Sequence, residues 1–296
     1  MDKWDADLVK VSKGLGRPLD IDLPFFAYGI FRHGEIAFEQ LREFVSDDPD
    51  TVQVSGERRV RDGLPILDLR EQGCVKGSLL EFSPGRRAEA YDRIRAMEPD
   101  NHYKWDIAEV KGRSANVLAG LKPKKGSKRW NYPEEWNSWD DPLFTSALDV
   151  VAETFNRSPH SISMWDLKPL FELQKAYLLL WSSIERYVSL SYQLGGKPEK
   201  KVGKFADERP FKDGIKHIEK PCRFVCRADR PDEKEVLDPR NPKKALLYYR
   251  QVRNNIAHRG KGVQDDYDRV RLSLKELLPI FREVLAEAKR DAQYSV

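Results

Sequence analysis

The apolar residues change period partway along the chain, and no single kind of regular element accommodates both periods. Between Trp165 and Tyr192, Leu170, Leu173, Tyr177, Leu180, Ile184 and Val188 recur three and four residues apart, the stripe of a long amphipathic helix. A second stripe runs from about Asp268 to Ala288 through Val270, Leu274, Leu277, Phe281 and Val284, with a bend expected at Pro279. Between the two, "KKALLYYRQVRNNIAH" predicts a third helix, ended by Gly260. Helices with one apolar face bury it by packing as a bundle. Residues 195–242 carry Gly, Pro and many charges and read as an elaborated loop, with a short helix around Phe211 to Ile218.

Upstream, from Ile21 to about Gly120, the apolar runs are short and bounded by Gly, Pro and Asp: "LPFFAYG", "TVQVSG", "LPILDL", "GSLLEF", "KWDIAEV" and "SANVLAG". Such runs predict strands, interrupted by helices over Glu35 to Phe44 and Arg86 to Met97. This half reads as a small sheet or barrel with helices added. Residues 121–142, "LKPKKGSKRWNYPEEWNSWDDP", follow neither period and read as a linker. Its tryptophans, Trp130, Trp136 and Trp139, are expected to clamp it against a domain; a base-stacking platform is the sharper alternative. The division is then an extension over 1–20, a first domain over 21–120, the linker over 121–142 and a helical domain over 143–296.

The 296 residues are enough for two domains, each with its own core. Lys and Arg number 52 against 48 Asp and Glu, so no single-sign field covers the molecule and any nucleic-acid contact must rest on local patches. Three cysteines, Cys74, Cys222 and Cys226, lack the spacing of a disulfide framework or a zinc site. Cys222 and Cys226 with His217 make only a weak metal signal, so neither metal nor cofactor is expected. No apolar leader opens the sequence and no run approaches the ~18 apolar residues of a membrane span. The expected setting is cytoplasmic, with no membrane partner.

The stretch "RQVRNNIAHRGKG", residues 250–262, concentrates polar chemistry at the end of the third helix. Arg253 and Asn254 precede His258 by five and four residues, and Arg259, Gly260 and Lys261 follow. With the acidic Glu185 in "LLLWSSIERYVSL" on the earlier long helix, this resembles the R-x4-6-H signature of the HEPN superfamily over roughly residues 143–292. The resemblance implies an all-α bundle that dimerises, and in many members a metal-independent endoribonuclease of the toxin–antitoxin or antiviral defence kind. RNA cleavage without a metal needs a base for the 2′-hydroxyl, an acid for the leaving 5′-oxygen and cations for the phosphorane charge. His258 has a side chain that titrates near neutrality, and Arg253 offers a planar fork for phosphate. Asn254 and Glu185 are the orienting groups. Arg259 and Lys261 grip the RNA backbone, along with Lys200, Lys201 and Lys204. Arg253 lies about 140° around a continuous helix from His258, so either the helix end loosens or a second subunit helps. The same residues also suit a plain helix cap, with Glu185 and Arg253 as structural glue.

The first half is similar to gamma-glutamylcyclotransferase-like proteins over about residues 22–120. "PFFAYGIFRHG" matches their Y-G-x-L turn at Tyr28, Gly29, Ile30 and Phe31, with Phe in place of the usual Leu. "GCVKGSLLEF" matches a V-x-G-x-L pattern at Val75, Gly77 and Leu79. Glu98 matches the catalytic glutamate after the helix, though Pro99 follows it. The resemblance implies a small β-barrel in which Glu98 moves a proton and the backbone N–H groups of Tyr28 to Phe31 bind a carboxylate, with charge added by Arg32 and His33. Together the expectations are an α+β chain, a small gamma-glutamylcyclotransferase-like β-barrel domain followed by an all-α HEPN helical bundle. The first domain would sense a small-molecule ligand, or regulate the second alongside an inhibitory protein partner. The rival readings are a gamma-glutamyl amide cyclotransferase using Glu98 with a helical dimerisation module, and a non-catalytic HEPN adaptor.

Overall fold

The computed structural model describes residues 15–130, 137–163, 166–192, 198–218, 223–227, 230–258 and 263–294. The chain forms two compact units, Met1–Ser138 and Trp139–Val296. The architecture is mixed α+β, with the sheets in the first unit and the long helices in the second.

The first unit runs β1 (Phe25–Ala27), β2 (Asp50–Ser55), β3 (Glu57–Arg61), β4 (Leu64–Asp68), β5 (Cys74–Leu80), α1 (Arg87–Met97), β6 (Tyr103–Val110), β7 (Arg113–Gly120) and β8 (Lys128–Arg129). One sheet has the order β2-β5-β1-β7-β6, and a second has β4-β3-β8. β1 pairs antiparallel with β5 and parallel with β7, and Phe26, Val52, Val54, Val75, Leu79, Val110 and Val117 form the core over it. Two hairpins turn at Asp62-Gly63 and Lys111-Gly112, where φ is 51° and 79°, then 49° and 78°. These are the paired positive φ values of a two-residue type I′ turn, which glycine in the second place makes cheap.

The barrel expectation is corrected. The outer strands β2 and β6 approach within 8 Å, but no ladder joins them and the ring stays open. The cause lies at Gly56, where φ is 152° and the chain leaves β2 for β3. β3 then pairs with β4 and β8, so the strand that would continue the main sheet is diverted into a second one. The helix expected over Glu35 to Phe44 is also corrected, to two 3-10 turns at Phe38–Gln40 and Arg42–Phe44. Ile36, Ala37 and Phe38 are all buried in succession, which the single apolar stripe of a surface α-helix does not provide, and two short 3-10 turns follow in its place.

The second unit comprises α2 (Pro142–Arg157), α3 (Lys168–Ser191), α4 (Pro198–Phe205), α5 (Arg209–Lys216), β9 (Phe224–Cys226), β10 (Lys234–Val236), α6 (Pro242–His258) and α7 (Val263–Tyr294). The predicted stripe from Leu170 to Val188 is the buried face of α3. Phe281 of α7 meets the rings of Phe144, Tyr187 and Phe205 at 6.0–6.3 Å. α7 is longer than its stripe suggested and continues through Pro279. The region read as an elaborated loop holds α4, α5 and the β9–β10 hairpin.

The stretch read as a linker divides. Its first part supplies β8 to the first unit, while Asp141 caps α2, accepting from Leu143 N at 2.9 Å and from Arg186 Nη2 at 3.0 Å. Trp139 lies 6.4 Å from the Tyr187 ring, Trp130 is half-buried and Trp136 lies outside the described residues. Among the described residues no helix is long and apolar enough to cross a membrane.

Candidate functional site

Packing of α3 against α6 sets the polar site of the second unit. Tyr177 of α3 donates its hydroxyl to the carbonyl of Tyr249 at 2.8 Å, fixing the two helices in register one turn before Arg253. Further along α3, buried Trp181 donates Nε1 to Glu185 Oε1 at 2.8 Å, an i,i+4 contact that aims the carboxylate. Arg253 then reaches the same oxygen, Nη2 to Oε1 at 3.7 Å, with its side chain 32% and that of Glu185 41% exposed. Arg253 Nη1 also lies 3.4 Å from Asn254 Oδ1. Glu185, Arg253 and Asn254 thus gather on one half-exposed face.

Asn255, the second asparagine of the motif, has a different task. Its Nδ2 donates to Cys226 O at 2.8 Å and its Oδ1 accepts from Gln251, so it fastens α6 to β9. α6 remains helical through His258, so the helix end does not loosen between Arg253 and His258. The His258 side chain, Arg259 and Lys261 lie outside the described residues, as do the side chains of Lys200 and Lys201. Lys204 lies 3.8 Å from Asp207.

Beneath this face lies a buried network that the sequence pattern did not mark. Arg223 Nη2 meets Glu276 Oε2 at 2.5 Å, and the Tyr249 hydroxyl donates to that oxygen at 2.9 Å. Burial, reinforced by Glu276, pushes the Tyr249 hydroxyl well above its ordinary range. The Glu276 side chain is only 8% exposed. Glu276→Ala would leave the Arg223 guanidinium buried without its counter-charge, and a loss of about 3 kcal/mol is expected from the shift in urea unfolding. Glu276→Gln would recover only part of it.

In the first unit, the loop after β1 forms a cleft with the end of α1. Tyr28 donates its hydroxyl to Leu118 O at 2.5 Å and accepts from Leu67 N at 3.2 Å, bridging β7 and β4. That hydroxyl is pushed far up by burial and then by Glu98. Glu98 ends α1 in an extended conformation, φ −97° and ψ 136°, which the following Pro99 favours. Gly29, Ile30, Phe31 and Glu98 line one cleft with Pro65 and Tyr103. Among the described residues no hydrogen bond engages the N–H of Gly29, Ile30 or Phe31. The enclosed space is about 20 Å³, room for roughly one water. Tyr103 donates to Pro65 O at 2.8 Å across its mouth.

The added charge expected from Arg32 and His33 is corrected. Arg32 Nη2 pairs with buried Glu35 Oε1 at 2.6 Å. His33 packs 4.7 Å from the Phe38 ring, and burial, then Arg42, lowers its pKa; Asp48 and Glu39 oppose this weakly. The folded state therefore prefers the neutral imidazole. Its contribution to stability is full above the unfolded pKa near 6.5 and is lost as pH falls from there toward the lower folded value. Unfolding measured between about pH 7 and 5 is expected to show less acid loss in His33→Gln than in the parent.

Among the described residues no group of three or more His, Cys, Asp or Glu is placed to hold a metal ion; Cys222 lies outside them. No protein-family model and no curated protein matches this chain. Among solved structures, the chain is similar to the uncharacterized protein PH0828 from Pyrococcus horikoshii. The two are 20% identical over 36% of this chain and 85% of that one, with a TM-score of 0.29.

Proposed function

We propose that the protein is a metal-independent endoribonuclease of HEPN type acting as a homodimer, its second unit a HEPN-like bundle and its first a cyclotransferase-like regulatory domain. The observation that carries this is the convergence of Glu185, Arg253 and Asn254 from two helices on one half-exposed face. Arg253 supplies the cation for the phosphorane, and Glu185, itself fixed by Trp181, holds the guanidinium fork in place. His258 takes the proton of the 2′-hydroxyl or gives one to the 5′-oxygen. The 2′-oxygen attacks phosphorus, the P–O5′ bond breaks, and a 2′,3′-cyclic phosphate remains.

On a continuous helix, positions 253 and 258 are about 140° apart around the axis. A two-fold partner that brings the two motifs into one cleft resolves that separation, which is why the reading includes a dimer. The setting is cytoplasmic, and a small ligand or inhibitory protein would act through the first unit. The test is a mixed RNA pool in EDTA, with cyclic-phosphate ends sequenced for wild type and His258→Ala. Ends produced equally by both, or by neither, would reject the reading.

A second reading is favoured by one observation: Glu98 faces a turn with three consecutive unengaged N–H groups, a ready carboxylate nest. It makes the first unit a gamma-glutamyl amide cyclotransferase. A cleft of about 20 Å³ must open to admit such a substrate. Release of 5-oxoproline that disappears in Glu98→Gln would support it.

A further inference from the structure

The second sheet of the first unit carries more positive charge than its own fold uses. β3 reads "ERRVR" and the stretch through β8 reads "LKPKKGSKRW", and in both Glu57 is the only acid. Their register sets Arg59 opposite Arg129, and like charges directly opposite weaken a strand pair. Glu57 serves both, through Oε2 to Arg59 Nη1 at 2.5 Å and Oε1 to Arg129 Nε at 2.7 Å. One carboxylate against two guanidiniums leaves a net positive charge. Arg61 Nη2 donates to Leu121 O at 3.1 Å. A carbonyl fixes a guanidinium without neutralising it.

The turn leading into β8 is held in a form that projects lysines. Lys122 adopts φ +52°, which costs a non-glycine residue on the order of 1 kcal/mol. Lys125 N closes the turn on Lys122 O at 2.9 Å, and buried Pro123 packs so tightly on Gly120 that a Cβ there would lie 3.0 Å from it. Lys124 meets Glu71. Lys122, Lys125 and Lys128 are exposed and form no ion pair among the described residues. Half-exposed Trp130 follows, its N–H bonded to Arg58 O at 3.0 Å.

We infer that this sheet is an RNA-docking surface separate from the Arg253 site, with Lys122, Lys125 and Lys128 on successive phosphates and Trp130 beside them. A row of unneutralised cations on a fixed turn, flanked by an indole, is the chemistry that holds single-stranded nucleic acid. An anionic bilayer would ask for inserted apolar side chains, and among the described residues beside these lysines the large aliphatic side chain exposed is Leu121, at 37%. The inference shares its ligand class with the proposed nuclease and rests on that reading for the choice of RNA.

The full chain is titrated with labelled single-stranded RNA of about 20 nucleotides in EDTA across a salt series. Compared are the parent, the triple Lys122→Ala, Lys125→Ala, Lys128→Ala variant and the corresponding triple arginine variant. Three lost phosphate contacts should weaken binding roughly tenfold to a hundredfold at moderate salt and flatten the log K against log salt slope by about 2; the arginine variant should bind as the parent does. An unchanged slope in the alanine variant overturns the inference, and so does a chain that binds phosphatidylserine vesicles or an acidic peptide but not RNA. Lysine-dependent binding without cleavage would support the inference while sinking the nuclease. Cleavage with an unaltered slope would do the reverse.

Discussion

Arg253→Ala is expected to lower RNA cleavage by roughly a hundredfold to a thousandfold while leaving the fold intact. One preorganised donor to a developing oxyanion is worth about that much, and Arg253 is a third exposed on a face its ion pair does not seal. Arg253→Lys should recover little, since an ammonium cannot copy the planar fork. Glu185→Gln should fall between, because the guanidinium would keep its own charge and lose the carboxylate charge that holds it at 3.7 Å. The dimer adds a sharper expectation. If Arg253 and His258 act across a two-fold axis, mixing Arg253→Ala with His258→Ala chains restores part of the activity that neither has alone. If both act from one chain, the mixture stays inactive, and single-turnover cleavage assays distinguish the cases.

Periodicity made the helical half legible. The stripes of α3 and α7 are long enough that burial follows from spacing alone. β3 escaped because "ERRVR" has neither alternation nor an apolar run; it is a strand through pairing with β4 and β8, half-buried at every position. The 3-10 turns after Glu35 escaped for the opposite reason, an apolar density that suits two periods at once.

Of the candidate sites, proximity in sequence pointed to Arg253 and Asn254, and the i,i+4 ladder of α3 delivers Glu185 to them. The Arg223, Glu276 and Tyr249 network was invisible because its members are scattered through three elements or the segments between them, and no spacing rule joins them. The two asparagines look equivalent in the sequence. Only the hairpin carbonyl at Cys226 separates Asn255, a fastening residue, from Asn254.

Gly77→Ala is expected to destabilise the first unit by about 3 kcal/mol or more. Gly77 sits in β5 opposite Val52, with β1 on the other side. A Cβ there would lie 2.4 Å from Ala27 O and 2.6 Å from the Phe26 ring. The ring is fully buried in the core and the carbonyl belongs to the neighbouring strand's backbone, so neither can yield without moving β1. Overpacking of a core that relaxes costs about 1–3 kcal/mol; one that meets backbone should exceed that range. Moving β1 would also shift the loop from Tyr28 to Phe31 that follows it, so the cleft at Glu98 would change with the stability. Gly85→Ala is the control, because no atom lies within 4 Å of its Cβ position and its φ is ordinary; it should be neutral or slightly stabilising. Hydrogen exchange of residues 50–55 and 74–80 reads the first unit separately from the helices. Protection lost there in Gly77→Ala, and kept in Gly85→Ala, would locate the strain at the β1–β5 pair. Equal protection in both would mean that β1 has room to move, and that the glycine is not what sets the spacing of these strands.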